Sequence, residues 1–380
     1  MRVLILSSTY APRIGGLENV THNLAKQLIE EGHDVRVITN RYPRSLSEEE
    51  VIENVPVKRL LFLSPQFAFL QRGRFDLLGA SLYFYPRTLF YLKKFIKKFM
   101  PEVINLHFPD SQIPFVLKLR RQFKFRLVVS LHGDEVERFF DPNRKRDKHG
   151  LNNLCEILSQ ADVVTTCSNY LLSRAIALES SIKQKGRVIY NGINLERFKD
   201  NGSYGHPKPY LLAYGRFVYK KGFDILIDAF SKIEKEHSGV DLILAGDGEE
   251  RENFKNQVHE LGLNNRIRFY GSATQKEIVA LSNGCEFVVI PSRQEPFGIV
   301  ALEAMAAGKA VLTTRVGGLP EFIEPSINRL VEPTVEDLAK GLDEWLGRSS
   351  EVRENGKKNA QQVLKYSIIH MADQYFEIYR

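Results

Sequence analysis

The feature that most constrains this chain is an alternation that runs through it twice. Val3–Ser7, Val35–Thr39, Val57–Leu63, Val103–His107, Leu127–Leu131, Val163–Cys167 and Val188–Tyr190 are short β-rich runs, and helical spacing fills Leu17–Glu31, Leu151–Ser159 and Tyr170–Leu178 between them. Strands that are apolar on both faces must be covered on both, which predicts a parallel sheet between helices. The pattern restarts at Tyr210–Tyr214 and continues through Asp241–Ala245, Ile267–Tyr270 and Ala310–Thr314. A chain of 380 residues is too long for one ordinary core. We therefore expect an α/β protein of two doubly wound, Rossmann-like domains, residues 1–200 and 201–365. The polar run Phe198–Pro209 reads as the linker, and a terminal helix occupies 366–380. Ligands of such sheets sit beyond the carboxyl ends of the strands.

Charge is uneven between the halves. Residues 1–200 carry 31 Lys and Arg against 21 Asp and Glu, a net of +10; residues 201–380 carry 22 against 25, a net of −3, and the two give the +7 of the whole chain. Different partners for the two halves follow from that asymmetry. The three cysteines, Cys155, Cys167 and Cys285, lack metal-ligand spacing and read as free thiols. No apolar run approaches the ~18 residues of a membrane span. The run after Met1 stops at Ser7 with no cleavage site behind it, so we read a first strand and expect a cytoplasmic protein.

One stretch deviates from the simple pattern. In Ser81–Met100, Leu89, Leu92, Phe95, Ile96 and Phe99 follow helical spacing while Lys93, Lys94, Lys97 and Lys98 crowd the other face. A core helix with a solvated basic face fits this, and so does a helix lying on an anionic membrane surface. Leu60–Leu63, Phe67, Phe69 and Leu70 add apolar character nearby, and Lys118, Arg120, Arg121, Lys124 and Arg126 add charge. No nucleic-acid motif accompanies these cations, so nucleic acid is not expected as a partner.

The strand ends carry the chemistry. Pro291–Leu312 reads as a strand end, a polar loop, a helix and the next strand, with Glu295 and Glu303 either side of the Phe297-Gly298-Ile299-Val300 helix start. A helix start offers unpaired N–H groups and partial positive charge to an anion. Two carboxylates there suit hydroxyl groups, although an N-terminal Glu also stabilises the helix dipole and a later one is ordinarily solvated. Gly215-Arg216 followed by Lys221-Gly222 precedes another helix, and a forked guanidinium with a compact ammonium suits a diphosphate. Gly246-Asp247-Gly248-Glu249-Glu250-Arg251 approaches a dinucleotide fingerprint but has Arg251 at the third glycine, which argues against a nicotinamide site. In the first half, Gly15-Gly16 opens a helix after the first strand, and His107 and His132-Gly133-Asp134 end strands.

These strings together resemble the retaining glycosyltransferases of family 4. E-P-F-G-I-V-A-L-E with A-M-A-A-G-K-A-V resembles the family's donor-sugar motif, G-R-x-x-x-x-K-G its pyrophosphate clamp, and H-G-D its histidine at the transferred sugar. Tyr190-Asn191-Gly192-Ile193-Asn194 resembles the turn before the linker, with Asn194 where Asp is usual, and Arg329 stands where the family prefers glycine. The resemblance implies the GT-B arrangement, two such domains facing across a cleft. It implies a nucleotide-diphosphate sugar (UDP or GDP) as donor, a glycan or lipid-linked acceptor, and transfer with retention. It implies Arg216, Lys221, Glu295 and His132 as catalytic groups. Gly16, Gly246, Asp247, Phe297, Gly298, Ile299, Val300 and Glu303 would bind donor; Gly15, His107 and Asp134 would face the acceptor. It implies neither cofactor nor metal, and the lack of any Asp-x-Asp in the sequence agrees with that. A sugar-nucleotide epimerase or hydrolase on the same fold, or a non-catalytic sugar-nucleotide-binding subunit, are the alternatives. The last helix would return to the first domain through Ile369, Ala372, Phe376 and Tyr379.

Overall fold

The first six-residue strand, Arg2–Ser7, is buried along all but its first residue. A strand with no solvated face needs neighbours on both edges and helices on both sides. The computed structural model supplies them, and describes residues 1–11, 16–65, 73–142, 144, 147–198 and 202–380. It divides into two units, Met1–Tyr190 with Ile368–Arg380, and Asn191–Ser367.

In the first unit the strands are β1 (Arg2–Ser7), β2 (Asp34–Asn40), β3 (Glu49–Ile52), β4 (Val55–Leu60), β5 (Val103–His107), β6 (Arg126–Leu131), β7 (Val163–Thr166) and β8 (Gly186–Val188). They lie in the order β3-β4-β2-β1-β5-β6-β7-β8. All pairings are parallel except β3 with β4. The strand order reverses between β1 and β5, which makes their carboxyl ends the crevice of this sheet. Strand β3 escaped the sequence reading because Glu48–Glu50 looks like a solvated charge run. It is an edge strand, joined to β4 through Glu53 and Asn54, both at positive φ, the geometry of a two-residue hairpin loop. Its Glu49 pairs with Lys58 at 2.6 Å and its Glu50 with Arg59.

The second unit holds β9 (Tyr210–Tyr214), β10 (Asp241–Ala245), β11 (Ile267–Gly271), β12 (Val288–Ile290), β13 (Val311–Thr314) and β14 (Arg329–Val331), ordered β11-β10-β9-β12-β13-β14. Every pairing is parallel. Counted within the unit this is 3-2-1-4-5-6, the dinucleotide-binding order, and its switch point lies between β9 and β12. Helix Phe223–Ile233 covers the sheet with Phe223, Leu226, Ile227 and Phe230, which join Leu211, Leu244 and Phe287 in one apolar core. Arg329 opens the edge strand β14 and pairs with Glu344 at 2.9 Å, a role a glycine cannot fill.

Three sequence expectations need correction. The chain passes between units at Tyr190–Asn191, not near 200. Of the run expected as a linker, the described part 202–209 is tied down: the Tyr204 N–H donates to the Ala280 carbonyl at 2.9 Å and Asn283 to the Gly202 carbonyl at 2.9 Å. Polarity on that run reflects hydrogen bonding along the surface of the second unit. The terminal helix Ile368–Tyr379 belongs to the first unit, but its buried face is Ile368, Met371, Ala372, Tyr375 and Tyr379, while Ile369 is exposed. Ala372 and Tyr379 lie on the expected face, and the buried Tyr375 and Tyr379 hydroxyls reach Ser130 and Asn105. Asn105 donates to the Tyr379 hydroxyl at 2.7 Å, and the Ser130 hydroxyl donates to Asn105 Oδ1 at 2.9 Å.

Helix Phe75–Phe99 buries Thr88, Leu89, Leu92 and Ile96. It begins six residues before the expected Ser81 and exposes Phe75, Leu82, Tyr83 and Phe90 as well as its terminal lysines. Phe67, Phe69 and Leu70 lie outside the described residues. No helix among the described residues is long and apolar enough to cross a membrane.

Candidate functional site

The second unit assembles its candidate residues at the β9/β12 switch point. Strand β9 ends at Tyr214, and the chain turns through Gly215 and Arg216 into the short 3-10 turn Tyr219–Lys221. Strand β12 ends at Ile290 and runs through Ser292 and Glu295 into helix Ile299–Ala306. The two loops meet where Lys221 Nζ donates to Glu295 Oε2. Both side chains are largely removed from solvent, at 19% and 10% exposure, so the pair is not a surface ion pair. The Ser292 hydroxyl also donates to Glu295 Oε2 at 3.4 Å, and Ser292 is itself held by Thr314, whose hydroxyl donates to its carbonyl at 2.5 Å.

Gly298 caps the helix at φ 101, a backbone region that side chains rarely adopt. A Cβ there would stand 2.5 Å from Leu319 Cδ2. As first-turn residues, Ile299 and Val300 have N–H groups without intrahelical acceptors, and the Glu295 carbonyl accepts from the Gly318 N–H at 3.0 Å. The Phe297 ring is buried and stacks on Phe322 at 4.6 Å.

Glu303 lies farther along the helix, half-buried, where Gln275 donates to it at 3.3 Å. Burial raises its pKa above the usual carboxylate range, against the hydrogen bonds from Gln275 and Tyr214. Tyr214 ties β9 to the same helix, its single hydroxyl proton shared between Glu303 and the Val300 carbonyl 3.3 Å away. Neither Gln275 nor Tyr214 stood out in the sequence, because each reaches Glu303 only through the fold.

Arg216 is exposed and forms no ion pair among the described residues. Gly246 is not free to give its N–H to a phosphate, as the Gly271 carbonyl accepts it at 2.8 Å. Asp247 is exposed; its Oδ1 accepts the Gly248 N–H at 2.8 Å, and Arg251 reaches Oδ2 at 3.3 Å. Asn194, where Asp was usual in the resemblance, accepts the Glu196 N–H at 3.1 Å through its side-chain oxygen, the one hydrogen bond either residue type supplies.

In the first unit His107 and His132 end the adjacent strands β5 and β6. His107 Nδ1 and His132 Nε2 stand 2.9 Å apart, and their rings stack at 5.2 Å. Phe108 covers His132 at 4.2 Å, and Tyr375 of the terminal helix lies 5.9 Å from the His107 ring. Desolvation drives His132 down to about 3 and His107 well below its ordinary value, so both imidazoles are neutral near pH 7. His107, expected to face a ligand, is fully buried, enclosed by His132 and Tyr375. Asp134 is exposed and paired with Arg144 at 3.2 Å rather than with His132. The His132 backbone N–H is taken instead by Glu135, whose carboxyl is pushed up by burial. Gly16 opens helix Gly16–Glu30, and Gly15 lies outside the described residues.

Among the described residues no group of three or more His, Cys, Asp or Glu side chains is placed to hold a metal ion.

Comparison with known proteins agrees with this geometry. Residues 14–197 match the family described as Glycosyltransferase Family 4, and residues 196–363 match Glycosyl transferases group 1. An uncharacterized glycosyltransferase of Methanocaldococcus jannaschii is 31% identical over 100% of this chain and 98% of its own. The glycogen synthase of Mycobacterium tuberculosis is 30% identical over 85% of this chain and 80% of its own. Among solved structures, sucrose-phosphate synthase from Thermosynechococcus elongatus superposes with a TM-score of 0.83 at 23% identity, covering 100% of this chain and 98% of that one. The Anabaena protein HepE in complex with UDP-glucose gives 0.77 at 20%, covering 100% and 99%. Two doubly wound sheets, loop motifs gathered at a switch point and relatives that match from end to end lead to one conclusion: the chain belongs to the family 4, group 1 glycosyltransferases of GT-B fold, and is a glycosyltransferase.

Proposed function

We propose that this glycosyltransferase moves a sugar from a nucleoside diphosphate sugar, with uridine or guanosine as base, to a glycan or lipid-linked acceptor. Transfer retains the anomeric configuration and needs no metal ion. The observation that carries this reading is the Lys221–Glu295 pair beside the start of helix Ile299–Ala306, at the switch point of the second sheet. Arg216, Lys221 and the Ile299 and Val300 N–H groups meet the charge that develops on the departing diphosphate. Such preorganised electrostatic stabilisation is often the largest catalytic contribution. Glu295 accepts sugar hydroxyls and Glu303 the ribose. The acceptor oxygen bonds to the anomeric carbon on the face the diphosphate leaves. The carbon–oxygen bond to phosphate breaks, and the acceptor's proton passes to the leaving phosphate oxygen. His132 contributes its neutral ring or backbone beside the transferred sugar.

A thermal-shift panel of UDP- and GDP-sugars, with and without chelator, tests the donor. A ligand at ~100 times its dissociation constant adds about 2.7 kcal/mol of stability. A shift with one donor, unchanged by chelator, is the expected result; no shift with any of them overturns the reading. Turnover in chelator, followed by the anomeric coupling of the product, tests retention and metal independence.

The acceptor reading extends to a surface. Helix Phe75–Phe99 exposes Phe75 and Phe90, at 67% and 69%, with Leu82 and Tyr83 between them, and ends in exposed Lys94, Lys97 and Lys98. An apolar stripe continuous with a basic end suits the headgroup region of an anionic bilayer, where a lipid-linked acceptor would lie. Flotation with anionic but not zwitterionic vesicles, abolished by Phe90→Ser with Lys97→Glu, is the expected behaviour; equal flotation with both overturns it.

A further inference from the structure

The two loops that bring Lys221 to Glu295 are joined by a third side chain. Arg293 forks onto Asp224, with Nη1 to Oδ1 at 2.7 Å and Nη2 to Oδ2 at 2.5 Å. Its Nη1 also donates to the Tyr219 carbonyl at 3.0 Å, and the guanidinium lies 4.1 Å from the centre of the Tyr219 ring. The backbone repeats the connection, since the N–H groups of Arg293 and Gln294 both donate to the Lys220 carbonyl, at 2.9 and 3.2 Å. Gly222, at φ 66, sits so close to the loop after β12 that a Cβ would stand 2.1 Å from the Pro291 carbonyl oxygen.

Asp224 stands in the first turn of helix Phe223–Ile233, so the guanidinium bridges the loop after β12 to the helix after β9. The turn it holds, Tyr219–Lys221, is only three residues long and has few hydrogen bonds of its own. A lysine side chain carries ~2 kcal/mol of rotamer entropy, so the position of its backbone decides how well its ammonium is aimed. Both terminal nitrogens of Arg293 are engaged within the protein, which leaves it poorly placed to take a ligand itself.

We propose that Arg293 is a positioning residue. Through its fork on Asp224 it fixes the Tyr219–Lys221 turn against the loop that carries Glu295, and so sets Lys221 Nζ where a diphosphate is met. The proposal rests on the diphosphate role given to Lys221. A lysine at 293 keeps the charge but cannot fork, because an ammonium is a point donor.

The test is calorimetric titration of the full chain with inorganic pyrophosphate, a probe common to every candidate donor. The variants are Arg293→Lys, Asp224→Asn, Lys221→Ala and the double variant Arg293→Lys with Lys221→Ala. Arg293→Lys and Asp224→Asn are each expected to weaken binding about tenfold, and Arg293→Lys to have no further effect once Lys221 is gone, since residues that act as a unit are non-additive. A tenfold loss that persists in the Lys221→Ala background marks general loosening and overturns the proposal. Tighter binding by Asp224→Asn, which frees the guanidinium, marks a direct contact and overturns it too. Should Arg293→Lys fail to fold, Asp224→Asn combined with Lys221→Ala carries the same comparison. If Lys221→Ala binds pyrophosphate as well as the native chain, the diphosphate role itself falls. If Lys221→Ala loses binding while Arg293→Lys does not, only the positioning role falls.

Discussion

Lys221 and Glu295 stand 74 positions apart in the chain and meet as an ion pair on adjacent loops of the second unit. The cation assigned to the diphosphate and the carboxylate assigned to the sugar are paired with each other. A buried carboxylate left without its cation is costly, which holds the two loops together.

Lys221→Ala is expected to lower kcat/KM by about 10²-fold, the scale of losing one oxyanion donor. The same change leaves Glu295 with only Ser292 at 3.4 Å and is expected to cost about 3 kcal/mol of stability. Initial rates with saturating acceptor and a urea titration separate the two effects. A near-native rate would remove Lys221 from the clamp.

Gly298→Ala places a methyl group 2.5 Å from Leu319 Cδ2 and forces a side chain onto φ 101. Strain of this kind is expected to cost about 1–3 kcal/mol and to pull the Ile299 N–H away from its present place. Denaturation midpoints and donor affinity should fall together; an unchanged affinity would show that the helix start does not meet the donor.

Tyr379→Phe leaves buried Asn105 without its partner at 2.7 Å. The expected loss is about 1–3 kcal/mol, the cost of an unsatisfied buried amide, read from chemical denaturation. No loss would mean that the terminal helix is held by its apolar contacts alone.

His132, held down to about 3 by desolvation, is neutral in the folded chain at pH values where an unfolded histidine, near 6.5, is protonated. The unfolded state then binds more protons, so stability falls as pH drops from about 6.5 toward 3. His107, stacked on it, contributes with the same sign; Glu135, raised by burial beside them, opposes it at the acid end. Replacing His132 with Gln should flatten the acid loss by about 1.4 kcal/mol per pH unit below 6.5, measured as the urea midpoint at pH 7, 6 and 5. An unchanged slope would show that His132 titrates normally.

Much of the architecture was legible from pattern. β5, β9 and β10 occupy the residues read as strands, because a run apolar on both faces has no stable place except inside a sheet. The edge elements were less legible. β3 opens with two glutamates that meet Lys58 and Arg59 across the Glu53-Asn54 turn, and β14 is three residues long. The terminal helix shows the same limit: its extent, Ile368–Tyr379, followed from spacing, while its buried face was set by tyrosine hydroxyls finding Asn105 and Ser130.

By itself the sequence determined two parallel-sheet units, the loops that follow their strands and the residue types those loops carry, since periodicity and turn chemistry are local properties. Only the tertiary structure decided which of those residues meet. It joined Lys221 to Glu295 and Arg293 to Asp224, turned the Phe297 ring into the core, buried His107 beneath His132, and gave the Gly246 N–H to Gly271. Those outcomes depend on strand order, which places β9 beside β12 across 73 intervening residues of chain, and strand order is settled by packing over the whole sheet rather than by any local run.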